Sequence, residues 1–243
     1  MIEILDDERL QELAQEVNLS YLQRKGQDPL DTLCVDVEGI LHDMFNKRVL
    51  FENIWENDPG RNGFTSNGVA PLKVRRNGVL QNIVFPADTV VLDNYLKRSE
   101  NSIQKRYILA HELGHIVYSI VVPGQTASGF YSEFDSSVNY TPEQLHSMMS
   151  YVELEATRIG CAFLMPHFLL VNTLHRIVGA EKFPFYGEVQ TMPQDSMKLQ
   201  TMANDLGVTV RMLRKELERQ KLLDRRPIQE YLRLFGKGGN AIV

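Results

Sequence analysis

Residues 107–118, YILAHELGHIVY, constrain this chain more than any other stretch, because three ionisable side chains sit inside a run otherwise apolar enough to be buried. With cap residues at 99–102 and Pro123-Gly124 as a stop, the run is predicted to be a helix over about 102–121. Leu109, Leu113, Ile116 and Ile120 fall at i, i+4, i+7 and i+11, a stripe that must pack into a core. His111 and His115 lie off that stripe, since positions 111 and 113 are about 200° apart at roughly 100° per residue. Two imidazoles one turn apart can converge on a single cation, and zinc favours such nitrogen ligands in a tetrahedral set. Glu112, next to the first histidine, can face an attacking water and take its proton. The alternative is a solvated His-Glu-His helix face. A working site further needs a third protein ligand and an open coordination position.

Three downstream carboxylates are candidates for that ligand: Glu143, Glu153 and Glu155. Thr141-Pro142-Glu143-Gln144 starts a helix with Thr as N-cap and Pro at N1, running to Met165 and stopping at Pro166. Glu143 lies in its first turn, where the helix dipole already accounts for a negative charge. The apolar stripe Leu145, Met148, Met149, Val152, Ala156, Ile159 and Phe163 is flanked about equally by Glu153 and Glu155. Their neighbours differ. Glu155 has Arg158 three residues on, which fits a surface ion pair. Glu153 shares its side with Ala156, Thr157 and Gly160, small residues that let another helix come close. This favours Glu153, with Glu155 as the alternative.

The rest of the chain is predicted to be α+β. Helices are expected over 7–24 and 29–46, from the spacing of Leu10, Leu13, Val17 and Tyr21 and of Leu33, Val37, Ile40, Leu41, Met44 and Phe45. Short β-rich runs follow near 48–54, 72–76, 79–85 and 89–93, with Asn77-Gly78 a type I′ hairpin signal, giving a small, mostly antiparallel sheet packed on the HExxH helix. Residues 124–140 are polar, aromatic and aperiodic, hence a loop. A further helix at 168–178 and a Gly/Pro-interrupted connector at 179–194 lead to two short helices within 195–222. Two domains are expected: 1–178 around the candidate site, and a C-terminal helical module, 179–243.

YILAHELGHIV, then ELEA at 153–156, then AFLMP at 162–166 resemble the ImmA/IrrE family of bacterial and phage metallopeptidases. In that family the AHELGH helix supplies two histidine ligands and a general-base glutamate. A second helix, E-x-x-A and then F-A-x-x-L-L-M-P, supplies the third ligand as its first glutamate. The resemblance thus implies a zincin-like fold, a Zn2+ cofactor held by His111, His115 and Glu153, and Glu112 as catalytic base. It implies an endopeptidase whose substrate is a transcriptional repressor of a mobile element or stress response. It extends over 105–166, departing at Ile159, Gly160 and Cys161, where Phe-Ala-Ala is more usual. Two histidines and a carboxylate also suit iron, manganese or cobalt. Tyr118, Tyr131 and His146 are available as transition-state donors, none standing out; His167 and His175 are expected to be structural or at the surface. An edge strand in the 72–93 region is expected to pair with an extended substrate backbone.

Composition narrows the remaining classes. Cys34 and Cys161 stand singly among apolar residues, which suits reduced, buried thiols and excludes a four-cysteine zinc site. The opening lacks the pattern of a secretory signal and no apolar run approaches the roughly 20 residues of a membrane span, so a cytoplasmic protein without membrane association is expected. In LQTMANDLGVTVRMLRKELERQ, Gly207 sits at the turn of a helix-turn-helix-like pair whose second helix bears Arg211, Arg214, Lys215 and Arg219. Glu216 and Glu218 on the same helix, and a net charge of -5, make phosphate-driven DNA binding weak. The rival to an enzyme is a DNA-associated or toxin-antitoxin-type binding protein with a structural or vestigial metal site. Glu112 separates the two, because a structural centre has no use for a carboxylate beside the open position.

Overall fold

The computed structural model describes residues 6–55, 62–122, 142–188 and 190–238, and for 142–150 and 235–238 the backbone alone. Two compact units emerge, residues 1–26 with 35–164 and residues 27–34 with 165–243. The first contains α1 (Asp7–Lys25), α2 (Val37–Phe45), β1 (Arg48–Glu52), β2 (Gly63–Thr65), β3 (Pro71–Arg76), β4 (Val79–Val84), β5 (Thr89–Asp93), α3 (Ser102–Val121) and α4 (Pro142–Leu164). The second contains α5 (His167–Ile177), β6 (Phe183–Tyr186), α6 (Pro193–Leu206), α7 (Val210–Arg219), β7 (Leu223–Arg226) and α8 (Ile228–Gly238). Contacts therefore group α5 with the later helices, whereas on sequence alone the division falls after 178. No single described helix is long and apolar enough to cross a membrane.

Local chemistry explains most element ends. Asp6 caps α1 by accepting from the Arg9 amide at 2.8 Å, and Gly26 closes it in the left-handed conformation at φ 64°. α2 is shorter than predicted: Asp36 accepts from the Gly39 amide at 2.9 Å and starts the helix there, leaving Leu30 and Leu33 exposed before it. Cys34 lies in this irregular stretch and is exposed, contrary to the buried thiol expected; Cys161 is partly buried, and the two are not joined in a disulfide. Asn77 and Gly78 take φ of 50° and 79° between β3 and β4, the two positive angles a type I′ turn requires.

The expected single, mostly antiparallel sheet is corrected. β5 lies between β1, to which it is parallel, and β2, to which it is antiparallel. β3 and β4 form a separate antiparallel hairpin, tied to the end of β1 through an Ile54–Val74 bridge. Alternating hydrophobicity specifies strands and adjacent turns, but not how strands far apart in sequence pair. In β2 and β5, Phe64 opposes Val91, and both pack with Leu72, Val74 and Phe85 on one face. Gly63 and Thr65 point to the opposite face, toward α3.

α3 begins after two 3-10 turns, Asn94–Lys97 and Ser99–Asn101, with no side-chain cap at Asn101; the turns supply the entry geometry that the sequence assigned to a cap. Leu109, Leu113 and Ile116 are buried as predicted, but Ile120 is 64% exposed, so the stripe stops a turn early. Against α3 runs α4, whose Val152, Ala156, Ile159 and Phe163 are buried. The sequence-assigned roles of Glu143, Leu145, Met148 and Met149 fall outside the described side chains, as the 124–140 loop falls outside the described residues.

In the second unit, β6 and β7 pair in parallel, and Phe183, Phe185, Leu199, Met202, Ala203, Leu206, Leu213 and Leu217 are buried. Gly207 ends α6 at φ 64°, and Thr209 caps α7 by accepting from the Met212 amide at 3.2 Å. β6, β7 and α8 were not foreseen. Four-residue strands with Pro184 or three Asp/Arg residues inside carry no two-residue hydrophobic alternation to find.

Candidate metal centre

The centre rests on how closely α3 and α4 approach. A Cβ on Gly114 would lie 2.1 Å from the Ala156 carbonyl oxygen, and one on Gly160 would lie 2.5 Å from that of Ala110. Position 110 faces 160 and 114 faces 156, so the helices run antiparallel with backbones in contact. The small-residue side that singled out Glu153 is therefore the interface with α3. His111 and Thr157 lie within this contact, and Glu153, one turn from Thr157, reaches over both histidines.

Three side chains meet there. Glu153 Oε2 is 3.0 Å from His111 Nε2, Glu153 Oε1 is 3.5 Å from His115 Nε2, and the two histidine Nε2 atoms are 3.1 Å apart. Ligand atoms at zinc's usual 2.0–2.1 Å on a tetrahedron stand about 3.3 Å from one another. The observed separations bracket that value, so this donor set fits a small divalent cation. Ligand-capable atoms of His111, His115 and Glu153 all lie within 4.8 Å of each other, forming a possible metal site whose ion is not identified. The HxxxH spacing is consistent with a zincin-like centre.

Electrostatics point the same way. Burial disfavours the Glu153 carboxylate, yet hydrogen bonds from His111 and His115 and the charge of both rings hold its pKa well below the usual carboxylate range. Burial likewise works against charge on His111, but its bond to Glu153 and the negative charges of Glu112 and Glu153 raise its pKa. Positive charge is favoured where the three side chains meet. His111 Nδ1 lies 3.2 Å from Thr157 Oγ1; donating a proton there leaves Nε2 free to act as a ligand.

Glu155 occupies a different environment. It is 7% exposed and bonded to Arg158 at 2.8 Å, while Arg158 also reaches Asp7 on α1 at 2.7 Å. The expected i, i+3 ion pair is present, but inside the protein. Its carboxylate is already committed to a guanidinium.

Glu112 is 5% exposed and turns toward the sheet. Thr65 Oγ1 donates to its Oε2 at 2.7 Å, and a Cβ on Gly63 would come within 2.6 Å of its Oε1. The strand beside the centre is thus β2, not one from the 72–93 region. A three-residue strand in a turn-rich segment gives no periodicity, and Thr65 is the residue the sequence offered no signal for.

Tyr118 is buried, while Tyr131 and His146 fall outside the described side chains. His167 Nδ1 and Gln220 Oε1 are 3.0 Å apart in the second unit, where His175 lines a recess. The four predicted cations of α7 divide. Arg219 bonds the buried Glu216 at 2.8 Å, and Arg214 lies over the Phe185 ring at 5.0 Å. Arg211 and Lys215 are exposed.

No family model matches this chain, and no curated protein matches it. Fold and site together define an α+β protein with a possible His/His/Glu metal centre on two antiparallel helices.

Proposed function

We propose that the protein is a zinc-dependent endopeptidase of the ImmA/IrrE type, acting on a protein substrate in the cytoplasm. What supports this most is Glu112, a buried carboxylate next to a metal-competent His/His/Glu group and held in place by its own hydrogen-bond donor. A centre that only braces two helices needs His111, His115 and Glu153 but gains nothing from that fourth group.

His111, His115 and Glu153 would hold a zinc ion, which would supply the Lewis acidity that acidifies water toward neutral pH and polarises a peptide carbonyl. Glu112 takes the proton from the attacking water and passes it to the leaving amine as the C–N bond breaks, without a covalent enzyme intermediate. Thr157 fixes the His111 ring, and α4 sets the position of Glu153. The sequence resemblance to repressor-cleaving peptidases makes a transcriptional repressor the substrate class, by analogy alone. The DNA-associated reading retains Arg211 and Lys215 of α7 as its exposed cations, few for a phosphate-driven binder.

Zinc-loaded protein, compared with Glu112→Gln and His115→Ala, tests the proposal with cleavage of a co-encoded repressor as readout. Glu112→Gln keeps its metal and loses about 10²–10⁴-fold in rate; His115→Ala loses the metal as well. Equal cleavage by metal-loaded wild type and Glu112→Gln overturns the catalytic assignment.

A further inference from the structure

We propose that Thr65 is a positioning residue for Glu112, and that β2 is the element that aims the base. The inference rests on the reading of Glu112 as a proton acceptor. β2 opposes β5 through Gly63↔Leu92, Phe64↔Val91 and Thr65↔Val90. Strand alternation sends Phe64 into the hydrophobic cluster with Leu72, Val74, Phe85 and Val91 and turns its two neighbours to the other face. Both neighbours meet one side chain. Thr65, 2% exposed, donates to Glu112 Oε2 at 2.7 Å, and Gly63 leaves the space that Oε1 occupies.

This arrangement does more than satisfy a buried carboxylate. A glutamate has three rotatable side-chain bonds, and its backbone on α3 fixes only where the chain starts. The Thr65 hydroxyl fixes one oxygen, and the missing side chain at Gly63 gives the other its place beside the strand. Packing of Phe64 anchors the strand that carries both. Such preorganisation matters because a base has to be in place before the proton moves, and second-sphere partners of metal centres characteristically contribute about 10–100-fold.

Acetohydroxamic acid is a suitable probe, since it chelates zinc and shares its hydroxyl proton with a neighbouring carboxylate, so its binding reports the carboxylate without a known substrate. Its dissociation constant is measured on zinc-loaded, full-length wild type, Thr65→Val, Thr65→Ser, Glu112→Gln and the Thr65→Val/Glu112→Gln double variant. Zinc stoichiometry and circular dichroism establish that each is folded and loaded. Thr65→Val is expected to weaken binding about tenfold, Thr65→Ser to restore most of it, and the valine to have no further effect once Glu112 is Gln. Equal weakening in both backgrounds shows a merely structural role and overturns the proposal. So does an unchanged affinity in Thr65→Val when Glu112→Gln weakens binding, in which case the endopeptidase reading stands. Wild type that holds no zinc fails that reading and the positioning role with it.

Discussion

The α3–α4 contact and the α6–α7 pair both present clustered ionisable residues on paired helices, yet they differ in what those residues have left to offer. In the second unit Arg219 is bound to Glu216, Glu218 to Arg225, and Arg214 covers Phe185. Arg211 and Lys215 are the exposed members of the predicted basic set. At α3–α4 the Nε2 atoms of His111 and His115 face each other and Glu153, three groups competent for one cation. Glu155, two residues from Glu153, shows the opposite outcome within a single helix. Reactive capacity follows from polar groups not already neutralised, rather than from their number.

The sharpest way to break this comparison is to exchange the fates of the two carboxylates. Glu153→Ala and His115→Ala are expected to lose zinc, with affinity falling beyond the roughly 100-fold that changes in supporting residues produce. Glu155→Gln is expected to keep full stoichiometry by metal analysis while losing roughly 1 kcal/mol of stability in urea unfolding, as the half-buried Arg158 loses Glu155 but keeps Asp7. Zinc loss in Glu155→Gln with retention in Glu153→Ala would invert the assignment. Next in size is Gly114→Ala. Its methyl meets a backbone carbonyl rather than a yielding side chain, so a loss of about 3 kcal/mol is expected together with weaker metal binding.

Thr157→Val probes a finer element. Removing the hydroxyl beside His111 Nδ1 is expected to weaken zinc about tenfold in a chelator competition without unfolding the protein. The smallest effect belongs to the second unit. A double change of Arg211 and Lys215 to Ala is expected to leave stability within about 0.5 kcal/mol. On nonspecific duplex DNA it is expected to abolish whatever weak, salt-sensitive retention the full protein has. Tight binding that survives this change would show that the paired arginines are still available and remove the contrast.

Legibility in the sequence varied with the range of the interaction. The HExxH helix, the second helix ending before Pro166 and the Asn-Gly turn were readable because each rests on neighbours within a few residues. Glu153 could be favoured over Glu155 because Ala156, Thr157 and Gly160 mark a face that another helix can approach, a local sign of a distant contact. The burial of Glu155 was missed, since Asp7 comes from the far end of the unit to complete its network. The parallel β1–β5 pairing and the contact of Thr65 with Glu112 were invisible for the same reason. α2 began late because a single cap at Asp36 outweighed an apolar pattern extending further back.

The two glycine contacts give the centre the character of a gauge block. Backbone lies against backbone at 110–160 and 114–156, so the spacing between the histidine helix and residue 153 is set by atoms that a replacement at 153 itself does not touch. A different donor introduced at position 153 would start from the same place relative to His111 and His115. Ion preference at this centre is therefore expected to be tunable by one residue, with carboxylate length or a third imidazole selecting among divalent metals while the helices keep their register.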